Sequence, residues 1–149
     1  MEEKFSIINK TRTKLALPTG RQAFSVIKND ILGENYILSV ALVNEKTSKE
    51  INFKYRNKNY PTNILSFPLS KNEGEIILCP SIIKKESTDE SKNFGKSFGD
   101  LLGFLVIHGM LHLDGMEHGA IMSKLEKKYD TKYFSRNRRG VLDDKSRSG

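Results

Sequence analysis

The chain has 149 residues, 37% hydrophobic and 29% charged, with a formal net charge of +7 and an isoelectric point near 9.5. This is the composition of a soluble globular chain long enough to close one core, and no apolar run reaches membrane-spanning length. A single cysteine, Cys79, rules out an internal disulfide and a four-cysteine zinc site, and it fits a reducing cytoplasm.

The first residues, MEEKFSIINK, begin with acids and lack the apolar stretch of a signal peptide. Residues 4–10 alternate as a strand. Over 17–33, Phe24, Ile27, Ile31 and Leu32 recur at helical spacing, with Thr19 placed to cap the start and Gly33 to end it. Residues 35–44 are the clearest strand, and 45–57 read as a short helix running into a turn. Residues 61–69 are extended and framed by Pro61 and Pro68, which predicts an edge strand because proline lacks the N–H of a ladder. Residues 74–80 form another strand stopped by Pro80.

The pattern then becomes helical. Residues 81–95 predict a helix ending by Gly95. Residues 97–113 are apolar nearly all round, which predicts a buried helix. Residues 119–134 predict an amphipathic one, and the basic stretch 135–149 has little to bury and reads as a mobile tail. The sum is one α+β domain over residues 1–134, with a mostly β first half and a helical second half.

All three histidines fall within residues 108–118, HGMLHLDGMEH. His108 and His112 are four apart, so a helix puts them on one face, continuing the Leu101 and Leu105 stripe. Gly115 can take a left-handed conformation, end the helix and bring His118 back to the same point. Three neutral imidazoles at this H-x-x-x-H-x-x-G-x-x-H spacing suit one zinc ion per chain, and three protein ligands leave a fourth position for water. The spacing is zincin-like, as in metzincin peptidases, but the general-base glutamate that follows the first histidine there is Gly109 here, which argues against peptide hydrolysis. Glu117 is the carboxylate beside the third histidine, with its direction open.

HGMLHLDGMEH, together with YRNKNYPTNILSFP (55–68) and GEIILCP (74–80), resembles the YbeY family of bacterial rRNA-processing metalloproteins. The family pattern H-G-x-L-H-L-x-G-x-D-H is kept except for Glu117, where the family has aspartate. The matches keep family order and span roughly residues 36–130. The resemblance implies an α+β fold with a mixed, roughly four-stranded sheet packed with helices and a metal at one end of a cleft. It also implies a single-strand-specific endoribonuclease acting in small-subunit rRNA 3′-end maturation and ribosome quality control. His108, His112 and His118 match the family's zinc ligands, and Arg56 matches the arginine of its Y-R motif. The implied partners are single-stranded RNA, rRNA and the ribosome or its small subunit; no membrane and no DNA are expected, and the implied location is cytoplasmic.

Other readings stand beside this one. From position alone, Arg56 reads as a surface residue or a salt-bridge partner; the motif tips it toward the developing charge on a phosphoryl group. Thr62 and Asn63 read as braces of the cleft, Asp100 as a helix-start residue, Cys79 as a small buried group, and Ser66 as an improbable nucleophile. Lys54, Arg56 and Lys58 interleave with Phe53, Tyr55 and Tyr60, a pattern compatible with base stacking, with Phe53 expected in the core. The net charge suits a nucleic-acid partner, although scattered lysines are also what a lysine-rich proteome produces. The alternative functions are a non-enzymatic ribosome-assembly or RNA-binding factor whose zinc mainly holds the fold, and a metallohydrolase acting on another substrate.

Overall fold

The computed structural model describes residues 4–14, 20–92 and 95–134. Four strands, β1 (Phe5–Asn9), β2 (Ile37–Leu42), β3 (Ile64–Ser70) and β4 (Glu73–Leu78), form one sheet in the order β1-β2-β4-β3. Five helices accompany them: α1 (Gly20–Leu32), α2 (Glu45–Arg56), α3 (Pro80–Thr88), α4 (Phe98–Leu113) and α5 (Ala120–Tyr133). β1, β2 and β4 run parallel, and β3 pairs antiparallel with β4 at the edge. That edge position suits Pro68, where the register shifts between Pro68 and Ser70.

The alternation of the strands separates two faces. Leu38, Val40 and Leu42 of β2 and Ile76 and Leu78 of β4 meet Phe24 and Ile27 of α1 and Leu101, Leu102, Ile107 and Met110 of α4 in the main core. α4 is apolar around its whole circumference because it touches α1, α3, α5, β3 and β4. The opposite face holds only a small cluster, Val43, Leu65 and Ile77, against which Ile51 of α2 packs.

Local chemistry explains most element ends. Gly33 closes α1 at φ +98°, donating to the Asn29 carbonyl. α2 starts on the Asn44 side chain, which accepts from the Thr47 N–H, and ends on Asn57 in the left-handed region. Pro80 both stops β4 and opens α3, where its missing N–H has no helical partner to lose. α3 ends at Thr88, short of the expected Gly95. Asp89 is extended, and its carboxylate accepts from the N–H and hydroxyl of Ser91, starting a turn of 3-10 helix over Glu90–Lys92. The proposed Thr19 cap and the tail 135–149 lie outside the described residues.

One buried charge ties the sheet entry to α1. Lys28 is 1% exposed, and its ammonium donates to Asn29 Oδ1 and to the carbonyls of Gly33 and Glu34 at 2.9, 3.1 and 3.1 Å. Burial, reinforced by Lys4, lowers its pKa, so those three acceptors are what keep the charge tolerable. Lys28→Met keeps the stem but removes the donor to two carbonyls at the end of α1. A loss of about 1–3 kcal/mol is expected, read as a lower urea midpoint with an unchanged slope.

Candidate metal centre

α4 begins on Ser97, whose hydroxyl accepts from the Asp100 N–H, and runs to Leu113. Asp100 therefore sits in the first turn, as expected, where an acid complements the helix dipole. At the other end the Gly115 N–H donates to the His112 carbonyl and the Met116 N–H to the Leu111 carbonyl, both at 3.0 Å. With Gly115 at φ +92°, this is a Schellman bend. The bend folds residues 116–118 back over the last helical turn.

The result is convergence of all three histidines. One ring nitrogen from each of His108, His112 and His118 lies within 4.8 Å of the others. Ring centroids are separated by 4.5 Å for His108–His112, 4.6 Å for His112–His118 and 5.2 Å for His108–His118. His112 Nδ1 lies 3.1 Å from the Met116 carbonyl, which only accepts, so Nδ1 carries the proton and Nε2 is left with its lone pair. Burial, then the neighbouring His108 and His118, lower the pKa of His112 and hold it in the neutral, ligating form. The Nε2 atoms of His108 and His112 face each other at 3.1 Å. Two lone pairs directed at each other across that gap want a cation between them, and the donor set fits a metal ion.

The residue that sequence reasoning missed is Glu126 of α5. Its Oε2 hydrogen-bonds His108 Nδ1, directing Nε2 toward the other two rings. Carboxylate–histidine pairing behind a ligand orients the ring and raises its basicity. Glu126 is 9% exposed and Asp130, one turn on, is 7% exposed, with Met122 one turn before them. Asp130 accepts from Lys96 at 3.1 Å. The signal was present in the sequence: two carboxylates occupy the apolar face of α5, where an amphipathic helix offers no solvent.

Arg56, the last residue of α2, lines the same cleft of about 500 Å³ as the three histidines. Arg56 is exposed and, among the described residues, has no ion-pair or hydrogen-bond partner, so it is a surface residue and not a salt-bridge one. β3 forms the adjoining wall, with Ile64 to Phe67 on the cleft. Thr62 and Asn63 brace it: Ser48 Oγ donates to the Thr62 carbonyl and accepts from the Thr62 N–H, and Asn63 donates to Glu86. Ser66 lies against Gly109, and Cys79 is 1% exposed, with burial raising its thiol pKa.

Gly109 packs closely against the ends of three sheet side chains. A Cβ there would lie 2.9 Å from both Ile64 and Ser66 and 3.1 Å from Ile76. The place where a metzincin carries its glutamate is thus filled by the sheet, and Glu117 is exposed on the loop. A second expectation fails: Phe53 is 54% exposed, not core, and Tyr55 and Tyr60 are exposed at 60% and 49%. The buried side of α2 is polar, Ser48 and Asn52, because these side chains hold the following loop: Asn52 Nδ2 donates to the Tyr60 carbonyl. Among the described residues no helix is long and apolar enough to cross a membrane.

The sequence profile described as Endoribonuclease YbeY matches residues 6–133. An Endoribonuclease YbeY of Buchnera aphidicola subsp. Acyrthosiphon pisum is 40% identical over 104 residues, 62% of this chain and 64% of that one. One of Carboxydothermus hydrogenoformans is 37% identical over 98 residues, 65% and 68% of the two chains. In the relative from Lactobacillus helveticus the match spans 56% of its length, so the chain covers between half and two thirds of several curated relatives. The solution structure of TM1509 from Thermotoga maritima superposes with a TM-score of 0.59 at 27% identity, over 91% of this chain and 93% of that one.

Two substitutions test the geometry. Gly109→Ala should cost roughly 1–3 kcal/mol by overpacking α4 on β3, and Gly109→Glu should prevent native folding instead of creating a peptidase; thermal melts read both. Glu126→Gln should lower the affinity for a divalent transition metal by about 10- to 100-fold while the circular dichroism spectrum is kept, measured by metal titration against a competing chelator.

Proposed function

From the premise that the chain belongs to the Endoribonuclease YbeY family, we propose that it is a zinc-dependent endoribonuclease cutting single-stranded RNA. Its physiological work, on this reading, is small-subunit rRNA 3′-end maturation and ribosome quality control in the cytoplasm, with rRNA and the small subunit as partners and DNA excluded. The observation that carries the proposal is the unpaired guanidinium of Arg56 on the same cleft as the three converging imidazoles.

Zinc would be held by His108, His112 and His118, and when bound it supplies a Lewis acid and lowers the pKa of a coordinated water. The chain's own groups do the rest. Glu126 and the Met116 carbonyl fix the tautomers of His108 and His112, leaving both Nε2 atoms free to ligate. Arg56 offers a planar fork to two non-bridging oxygens of a phosphodiester and stabilises charge that grows there in the transition state. The Ser48–Thr62 and Asn52–Tyr60 bonds tie α2, the helix that ends at Arg56, to the loop leading into β3.

The reading of zinc as chiefly a fold-holder is less well supported. The main core is made of apolar side chains from the sheet, α1 and α4, and His118 is exposed at its margin. Removing the metal should leave that core intact. Peptide hydrolysis is disfavoured because Gly109 leaves no room for the usual base.

The experiment compares three nuclease-free preparations on single-stranded RNA with metal content measured in parallel. Arg56→Ala should retain metal and lose about 10²- to 10³-fold in kcat. His112→Ala should lose both metal and cleavage while remaining folded. Equal cleavage by all three would assign the activity to a contaminant and leave an RNA-binding factor as the better reading.

A further inference from the structure

The metal cleft does not end at Arg56. Phe67 lines it and also lines a second groove of about 560 Å³ between α2 and the outer face of β3 and β4. The floor of that groove is apolar, from Ile51, Phe67 and Ile77, and Tyr55 stands at its side. Tyr55 packs against Phe67 with ring centroids 5.2 Å apart and tilted by 59°, yet 60% of the residue remains exposed. Lys54 Nζ lies 5.2 Å from the centre of the Tyr55 ring. The carboxylates of Glu50 and Glu75 border the groove.

Accepting the nuclease reading above, we propose that this groove is a nucleobase subsite, in which a base of single-stranded RNA flanking the phosphodiester at the metal cleft stacks on Tyr55. Three features select a base over other occupants. The groove adjoins the cleft at Phe67 of the edge strand, which lines both, so a strand rounding that edge passes from one to the other. The groove carries charges suited to a nucleotide: Lys54 beside Tyr55 for phosphate, and Glu50 and Glu75, which repel phosphate but accept hydrogen bonds from the exocyclic amines of bases. An exposed aromatic with adjacent cations is the usual platform for single strands, because every base has a stacking face. A duplex keeps its bases stacked on one another and cannot place one here, so the subsite also gives the chain a physical preference for single strands.

The test separates this subsite from catalysis. Fluorescence anisotropy of a labelled single-stranded RNA oligonucleotide is measured in the His112→Ala background, with and without Tyr55→Ala or Tyr55→Phe, and repeated with an abasic oligonucleotide of equal length. Tyr55→Ala should weaken binding of the base-bearing RNA by roughly five- to hundredfold. Tyr55→Phe should keep the affinity, and the abasic strand should bind weakly and equally to all three. In the chain with intact histidines, Tyr55→Ala should raise KM more than it lowers kcat. Equal affinity of the Ala and Tyr forms for base-bearing RNA overturns the subsite, as does an equal loss on the abasic strand, which would mark a structural effect. If the chain with intact histidines cuts no RNA while Tyr55-dependent binding persists, the nuclease reading falls and the subsite stands.

Discussion

The contact of α4 with the sheet at Gly109 sets the geometry of the whole site. With no side chain between them, the helix backbone comes close enough to the sheet for the side chains of Ile64 and Ser66 of β3 and Ile76 of β4 to crowd the place of a Cβ. His108 and His112, flanking that glycine, are thereby held beside β3, and the β3 wall and the C-terminal end of α2 share their cleft. Because Ser48 and Asn52 of α2 grip the 60–62 backbone, the helix that ends at Arg56 is anchored beside the same strand. One glycine and a few buried polar side chains thus connect ligands and guanidinium through the sheet instead of through each other.

The electrostatics follow from where the carboxylates are. The histidine cluster has no acid in its own turn of α4; its buried anion is Glu126, delivered from a different helix to the back of His108. This leaves the cleft side of the rings to a cation and to Arg56, with no buried carboxylate competing for the arginine. The acids near the substrate path, Glu50 and Glu75, lie past Phe67 in the neighbouring groove. That groove also carries Lys54, so its charges are mixed, whereas the cleft wall presents the guanidinium and the three imidazoles.

The local parts of the site were legible in the sequence, and the long-range parts were not. The i, i+4 histidines and the glycine bend depend on a ten-residue stretch whose backbone is set by helix geometry and the conformational freedom of Gly115, so spacing was enough. The edge position of β3 was legible from Pro61 and Pro68, and the buried character of α4 from its all-round apolarity. Glu126 sits 18 residues from its partner, and such a pairing shows only as a carboxylate on the wrong face of a helix. Phe53 was misplaced for the converse reason: α2 buries serine and asparagine to hold a loop, so its hydrophobic pattern points outward. The end of α3 turned on an aspartate side chain competing with the helix, which spacing to the next glycine does not register.

That misplacement carries a physical consequence. A helix that spends its buried face on hydrogen bonds has no apolar drive to cover the sheet fully, which is why the outer face keeps only the small Val43–Leu65–Ile77 cluster and a groove beside it. Phe53, Tyr55 and Tyr60 are exposed on the same short stretch that carries Arg56, which lines the cleft of the three histidines. Polar bracing of the loop and exposure of the aromatics are therefore two results of one choice of residues on α2: the helix that carries Arg56 to the cleft turns its rings outward because serine and asparagine occupy its buried side.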